Sequence, residues 1–320
     1  MASFSFKNVF INNFYSIAGI NENNGNLKNV NLYLKDYLFE EKTFENAEIK
    51  MQKIVINNLI AKNNKPEIVV GGELSNQLSI TSSSLKNSNI PFLGQYSACA
   101  TFVENLITLA LLIDTKKVKN GLCITSSHNL TSERQFRYPI EYGAPKPQYS
   151  TFTTTGAVGT FLSKTMTGVR VTNATIGKVI DYGVKDAYNM GAVMAPAAAD
   201  TLVTHLTETK TSISDYDLIL TGDLGKIGMD LFQIILKKDH NITLKNYIDA
   251  GAVIYNKEQE IYSGGSGPVC LPLVLFNKIL QTKKYKKILV IATGSLHNPT
   301  LVNQKNSIPA IAHGITLEVQ

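Results

Sequence analysis

The stretch from Ser126 to Pro139, Ser-Ser-His-Asn-Leu-Thr-Ser-Glu-Arg-Gln-Phe-Arg-Tyr-Pro, gathers the side chains of this sequence best suited to chemistry. The chain carries 31 lysines and arginines, yet only three are arginine: Arg134, Arg137 and Arg170. Two of the three fall here within a span of four residues, beside His128, Glu133, Phe136 and Tyr138. In a chain that otherwise takes its positive charge from lysine, paired guanidiniums point to a need for planar, forked donors. Such donors match carboxylates and phosphates, and a neighbouring aromatic ring offers a slab for a flat ligand. A solvated loop with a structural ion pair accounts for the same residues, and the segment alone does not separate the two readings.

Other candidates lie at the ends of apolar runs. Cys99 sits where a helix begins, and the amide dipole there stabilises a thiolate or a bound anion. It is therefore a candidate nucleophile or anion cradle, although most free cysteines are small buried packing residues. Cys123, inside a strand of Leu and Ile, and Cys270, followed by Leu271 and Pro272, read as packing. His128 and His297 each end a strand, which places them at a cleft or in a turn bonded to backbone. His313 precedes a glycine in a closing strand and is within reach of the cleft, whereas His205 and His240 read as structural or solvated. Glu73 and Asp223 are strand-end carboxylates, able to act as general bases or simply to bond loop amides.

The elements that must position these groups are written twice. Glu67-Ile-Val-Val-Gly-Gly-Glu73 and Asp217-Leu-Ile-Leu-Thr-Gly-Asp223 are short buried strands that end alike. A helical pattern precedes each, one near 47–62 and one starting near Pro196 as a first-turn proline. Small-residue turns then open apolar helices at Cys99 and at Gly264–Cys270. Strands follow, ending at His128-Asn129 and His297-Asn298. Cysteine and histidine are about thirty residues apart in each half, near the size of one strand–helix–strand unit. Closing strands are expected at 157–162 and 312–318. The expectation is an α/β protein of two pseudo-symmetric halves, 1–165 and 166–320. Ligand sites in such folds gather at the carboxyl ends of strands, which draws Glu73, Cys99, His128, Asp223 and His297 toward one cleft. Segments 130–150 and 177–195 exceed the repeat, and the first, carrying the arginine pair, reads as a lid or binding loop.

Composition narrows the classes. At 44% hydrophobic and 18% charged over 320 residues, the chain has ample material for a core. The net charge of +6 is spread as single lysines, with the cluster Lys283–Lys287 reading as a solvated helix end, so nucleic-acid binding has little support. Three widely separated cysteines fit a reducing compartment without a disulfide frame. No signal peptide is evident, and the longest apolar stretch, Leu106 to Ile113, is far short of a span, so any membrane association is expected to be peripheral. No Gly-x-Gly-x-x-Gly follows the first strand, no phosphate-binding loop occurs, and no clustered-ligand spacing argues for a metal; no cofactor is expected.

The duplicated strand–cysteine–helix–strand plan resembles the thiolase fold, and within it the stage V sporulation protein AD family of spore-forming bacteria. Four segments carry the resemblance: Thr125–Gly143, Met190–Asp200, Tyr216–Leu224 and Ile308–Gly314. The resemblance covers essentially the whole chain and is weakest in the first forty residues. It implies a layered αβαβα core and a binding role toward pyridine-2,6-dicarboxylate (dipicolinic acid), free or as its calcium chelate. The partners it implies are other subunits of a channel complex at the spore inner membrane, with a homodimer across the cysteine-bearing half.

Condensing enzymes of this fold surround the nucleophilic cysteine with His/His, His/Asn or His/Cys partners. Cys99 resembles that nucleophile, but Gly222-Asp223 stands where synthases carry histidine, and Gly264-Gly265 where some carry asparagine. The family pattern has aspartate after the first Gly-Gly pair, where this chain has Glu73. The ligand set implied is Cys99, His128, Arg134, Arg137, Tyr138, Glu73, Asp223 and His297. An acyltransferase using Cys99, with His297, His313 or Cys270 as substitute partners, and a non-binding scaffold are the alternatives.

Overall fold

The computed structural model describes residues 2–136, 146–259 and 261–319. Its first half opens with the strand Ser3–Ala18 (β1), the short helix Ile20–Asn23 (α1) and the two-residue strand Leu32–Tyr33 (β2). Then come Phe44–Lys62 (α2), Val69–Gly72 (β3), Ser79–Leu85 (α3), Phe92–Gly94 (β4), Thr101–Asp114 (α4) and Asn120–Ser127 (β5). Asn129–Phe136 (α5), Thr151–Thr153 (β6) and Gly156–Ser163 (β7) complete it. The second half runs Val169–Ile176 (β8), Met190–Thr209 (α6), Leu218–Thr221 (β9), Gly225–His240 (α7), Tyr247–Asp249 (β10) and Ala250–Val253 (α8). Gly264–Ser266 (β11), Cys270–Val274 (α9), Lys287–Ser295 (β12), Pro299–Asn303 (α10) and Ala310–Val319 (β13) follow.

The main sheet has the order β10-β9-β12-β13-β8-β1-β7-β5-β3-β4, which repeats one plan from the centre outward. From β1 the neighbours are antiparallel β7, then β5 antiparallel to β7, then β3 and β4 parallel. From β8 they are antiparallel β13, then β12, then parallel β9 and β10. The two sets join where β1 pairs with β8. The expected division at 165/166 falls in the turn between Ser163 and Val169.

The burial of each element dictates its layer. Helix α4 buries residues all round, from Phe102 to Ile113, so it has no face to give to water. It packs on β3 and β5 of one half and on β12 and β13 of the other. Phe102 meets Phe276 edge-on at 6.1 Å, in the helical run that continues α9, and Phe276 stacks on Phe14 of β1 at 4.6 Å. These two helical runs form the middle layer. The outer layers are one-sided. Helix α2 lays Met51, Val55 and Leu59 on the first half-sheet, and α6 and α7 lay Leu202, Phe232 and Leu236 on the second. The result is the expected αβαβα stack. Strands β5 and β12, covered on both faces, are buried from their second residue to their last.

Two expected boundaries shift. Helix α2 starts three residues earlier than its apolar pattern, because the Thr43 side chain accepts the Asn46 amide and sets the start. Helix α6 begins at Met190 behind an Asn189 cap, so Pro196 lies inside the helix and not in its first turn. The proline removes one backbone bond from a buried helix, a loss the surrounding packing absorbs. Among the described residues no helix is long and apolar enough to cross a membrane.

Candidate functional site

Cys99 lies in a tight turn, Ala98–Ala100, at the entry to α4. Ala98 adopts a left-handed conformation with φ +49°, an uncommon state for a residue with a side chain. Hydrogen bonds hold the turn from within: the Ser97 amide donates to Thr101 Oγ1 at 3.0 Å, and that hydroxyl donates to the Ala98 carbonyl at 2.7 Å. Two strand-end glycines make room for it, one from each half. A Cβ on Gly72 would collide with the Gln95 carbonyl, and one on Gly294 with the Ser97 carbonyl. The turn is thus wedged between β3 and β12, and Cys99 sits where the halves meet.

Around it is a small cavity of about 30 Å³, room for only about one or two waters. Cys99 shares its wall with Glu133 and Phe136 of α5, with Ser266 and Gly267 after β11, and with Ser295 and His297 at the end of β12. Cys99 is 5% exposed and His297 7%. The Phe136 and His297 rings lie 5.5 Å apart. Buried Glu133 is paired with Lys146 at 2.8 Å, which sets one cation beside the cavity. Ser295 Oγ is buried in the wall without a hydrogen-bond partner among the described residues, a free polar group facing the space. His313 lies behind the turn: its Nε2 is 3.4 Å from Ser97 Oγ, its Nδ1 accepts the Gly177 amide, and burial lowers its pKa to about 4.

Of the eight expected site residues, the structure brings Cys99 and His297 to this cavity and gives four others different surroundings. Glu73 turns back on its own loop, accepting the Ile80 amide at 3.0 Å, the Thr81 amide at 3.3 Å and the Thr81 hydroxyl, so it caps the start of α3. Burial raises its pKa. His128 is fully buried behind β5: Nε2 donates to the Tyr37 carbonyl at 2.8 Å, Nδ1 accepts the Leu130 amide at 3.2 Å, and the ring lies 5.3 Å from that of Phe44. Burial also lowers its pKa. Arg134 points away from the cavity to Glu45 at 3.3 Å, with its guanidinium 5.8 Å from the Phe44 ring, tying α5 to α2.

Asp223, also left-handed at φ +71°, is fully buried, with the Cys270 thiol and the Gly267 amide as its polar neighbours. Burial, and then the charge of Asp249, push its pKa well up, toward the neutral form. It stands one layer behind the cavity wall. Arg137 and Tyr138 lie outside the described residues.

The residues that replace them were partly legible. Glu133 and Phe136 are three apart on one helix, a spacing that puts both on the same face, while the next residue, Arg134, turns to another. Ser295, Ser266 and Met190 carried no local signal, being common residues that only the meeting of the halves makes neighbours. Among the described residues no group of three or more His, Cys, Asp or Glu side chains is placed to hold a metal ion.

The fold is similar to that of proteins of known structure. Cerulenin-bound OleA from Xanthomonas campestris superposes with a TM-score of 0.62 at 12% identity, covering 99% of this chain and 98% of that one. The 3-oxoacyl-(acyl carrier protein) synthase III FabH from Xanthomonas oryzae pv. oryzae gives 0.58 at 11% identity, covering 99% and 100%. At such identities the likeness shows the thiolase-like fold and nothing finer. In sequence, stage V sporulation protein AD of Bacillus subtilis (strain 168) is 38% identical over 320 residues, 97% of this chain and 94% of that protein. The family profile of stage V sporulation protein AD (SpoVAD) matches residues 2–318. The chain belongs to the stage V sporulation protein AD family.

Proposed function

We propose that this sporulation protein is a ligand-binding subunit built on a condensing-enzyme frame, taking pyridine-2,6-dicarboxylate, free or as its calcium chelate, at the Cys99 cavity, which in its closed form holds only water and must widen to admit the ligand. The observation that carries this reading is Asp223. Where condensing enzymes place an imidazole after the second-half strand, this chain has a fully buried carboxyl, and burial favours its neutral form. A neutral carboxyl cannot take the thiol proton, and an ionised one would oppose an oxyanion. The cavity meanwhile keeps small polar donors, Ser266, Ser295 and His297, with Lys146 alongside, and these suit a carboxylate ligand. In this reading the protein works at the spore inner membrane as a peripheral homodimer bound to the other channel subunits. Titration calorimetry with pyridine-2,6-dicarboxylate, with and without calcium, tests it. Absence of heat at millimolar ligand would sink the binding role and leave a scaffold.

A second reading rests on a specific pairing: Cys99 and His297 line the same cavity, which is the minimum for acyl transfer. Incubation with acetyl-CoA followed by intact-mass measurement decides it. A stable acetyl adduct that vanishes in Cys99→Ala would establish the transferase.

A further inference from the structure

Two cavities meet at three side chains. The inner one holds Cys99 and has a volume of about 30 Å³. An outer one of about 200 Å³ is lined by the amide side chains of Asn76, Gln77 and Asn298. Tyr96, Phe136 and His297 belong to the walls of both. They form the partition between a vestibule edged by amides and a space that, with the partition in place, holds only water-sized bodies.

The three partition residues are held differently. Tyr96 runs directly into the hydrogen-bonded turn that carries Cys99. His297 follows β12, where the Leu296 amide donates to the Pro309 carbonyl at 2.8 Å. Phe136 ends the short helix α5, and the tip of that helix is fastened to the wall through the neighbouring Gln135. The Gln135 amide donates to the Leu74 carbonyl at 2.9 Å and accepts the Asn76 amide at 2.9 Å. Leu74 lines the inner cavity and Asn76 the vestibule, so this latch spans the partition. Among the described residues, the ring meets His297 at 5.5 Å and the neighbouring Gln135 latch holds the end of its helix.

We propose that Phe136 is the gating residue of the Cys99 site. A planar ligand is received first among the vestibule amides and reaches Cys99 only when the Phe136 ring turns aside, and Gln135 sets how often that happens. This deepens the binding reading, since it concerns the same cavity. Its test uses no ligand, so a failure of calorimetric binding leaves it unaffected.

The full-length protein is treated with iodoacetamide, and alkylation of Cys99, Cys123 and Cys270 is followed by peptide mass spectrometry. Phe136→Ala should speed Cys99 alkylation by about tenfold, the size expected from losing one aromatic contact, with Phe136→Tyr restoring the slow rate. Gln135→Ala, which leaves the ring in place but frees it, should speed Cys99 by a smaller factor. Unchanged Cys99 rates in both alanine variants would overturn the gate. So would labelling of Cys123 and Cys270 in step with Cys99, which would make the ring general packing.

Discussion

At the scale of single residues, Arg134, one of the two arginines that stand out in the sequence, is engaged away from the cavity. Arg134 spends its guanidinium on Glu45 and the Phe44 ring, half exposed, where an ion pair contributes at most about 1 kcal/mol. Arg134→Ala should therefore leave the calorimetric affinity for pyridine-2,6-dicarboxylate unchanged. Arg137→Ala should cost about 1.5–3 kcal/mol of binding, the worth of a charged hydrogen bond to a ligand carboxylate. Equal losses in both variants, or none in either, would remove the arginine pair from the binding account. Glu73 belongs with Arg134. Its carboxyl serves the Ile80 and Thr81 amides, and Glu73→Ala leaves those buried donors without a partner. The unfolding free energy in urea should fall by about 1–3 kcal/mol with ligand affinity intact. In each case residue type announced a group capable of chemistry, but the direction in which the side chain leaves its helix or loop decided what it touches.

At the scale of elements, the strand ends were legible because period, composition and turn chemistry agreed there. Val-Val-Gly-Gly and Leu-Ile-Leu-Thr are short, apolar and closed by small residues, and they are β3 and β9. The tie between β9 and β10 was not legible. Asp249 accepts the Thr221 hydroxyl at 2.7 Å and the amides of Leu224, Gly225 and Ala252 at 3.2, 2.9 and 3.0 Å. One carboxylate thereby fixes the turn into α7 and the start of α8. Asp249→Ala should lower stability by more than about 3 kcal/mol, since several buried donors lose their acceptor together; Asp249→Asn should cost less. A denaturation midpoint in Asp249→Ala close to that of the wild type would show the turn to be held by something else. Pro196 teaches the reverse lesson. Local propensity made it a helix start, and the packing of α6 on the second half-sheet overrode it.

At the scale of the whole molecule, the meeting of two half-sheets buries carboxyls far from water. Burial raises Glu22 to about 7, Glu48 to about 8 and Asp249 to about 6. The folded protein thus holds protons that the unfolded chain, with its Asp at 3.8 and its Glu at 4.5, releases. The stability these groups contribute is fully present below 3.8 for Asp249 and below 4.5 for the two Glu, and is lost as pH rises through their folded values. His205 and His313, lowered to about 4 by burial, act oppositely, and their stability is lost as pH falls from 6.5 toward 4. Above about pH 7.5 these histidines are neutral in both states, and the raised carboxyls, Glu48 foremost, dominate. Urea midpoints should therefore decline from about pH 7.5 to 8.5, and Glu48→Gln should flatten the decline; a flat wild-type profile would contradict it.

At this scale too the sequence and the fold divide the work. By itself the sequence determined the class of elements, their duplication and the family, because hydrophobic period, turn residues and motifs are local properties of the chain. The tertiary structure decided which of the expected residues share the site and which unexpected ones join them. Cys99, Glu133, Ser266, Ser295 and His297 come from separate elements of both halves, and only the wedging of the Cys99 turn between Gly72 and Gly294 brings them to one cavity.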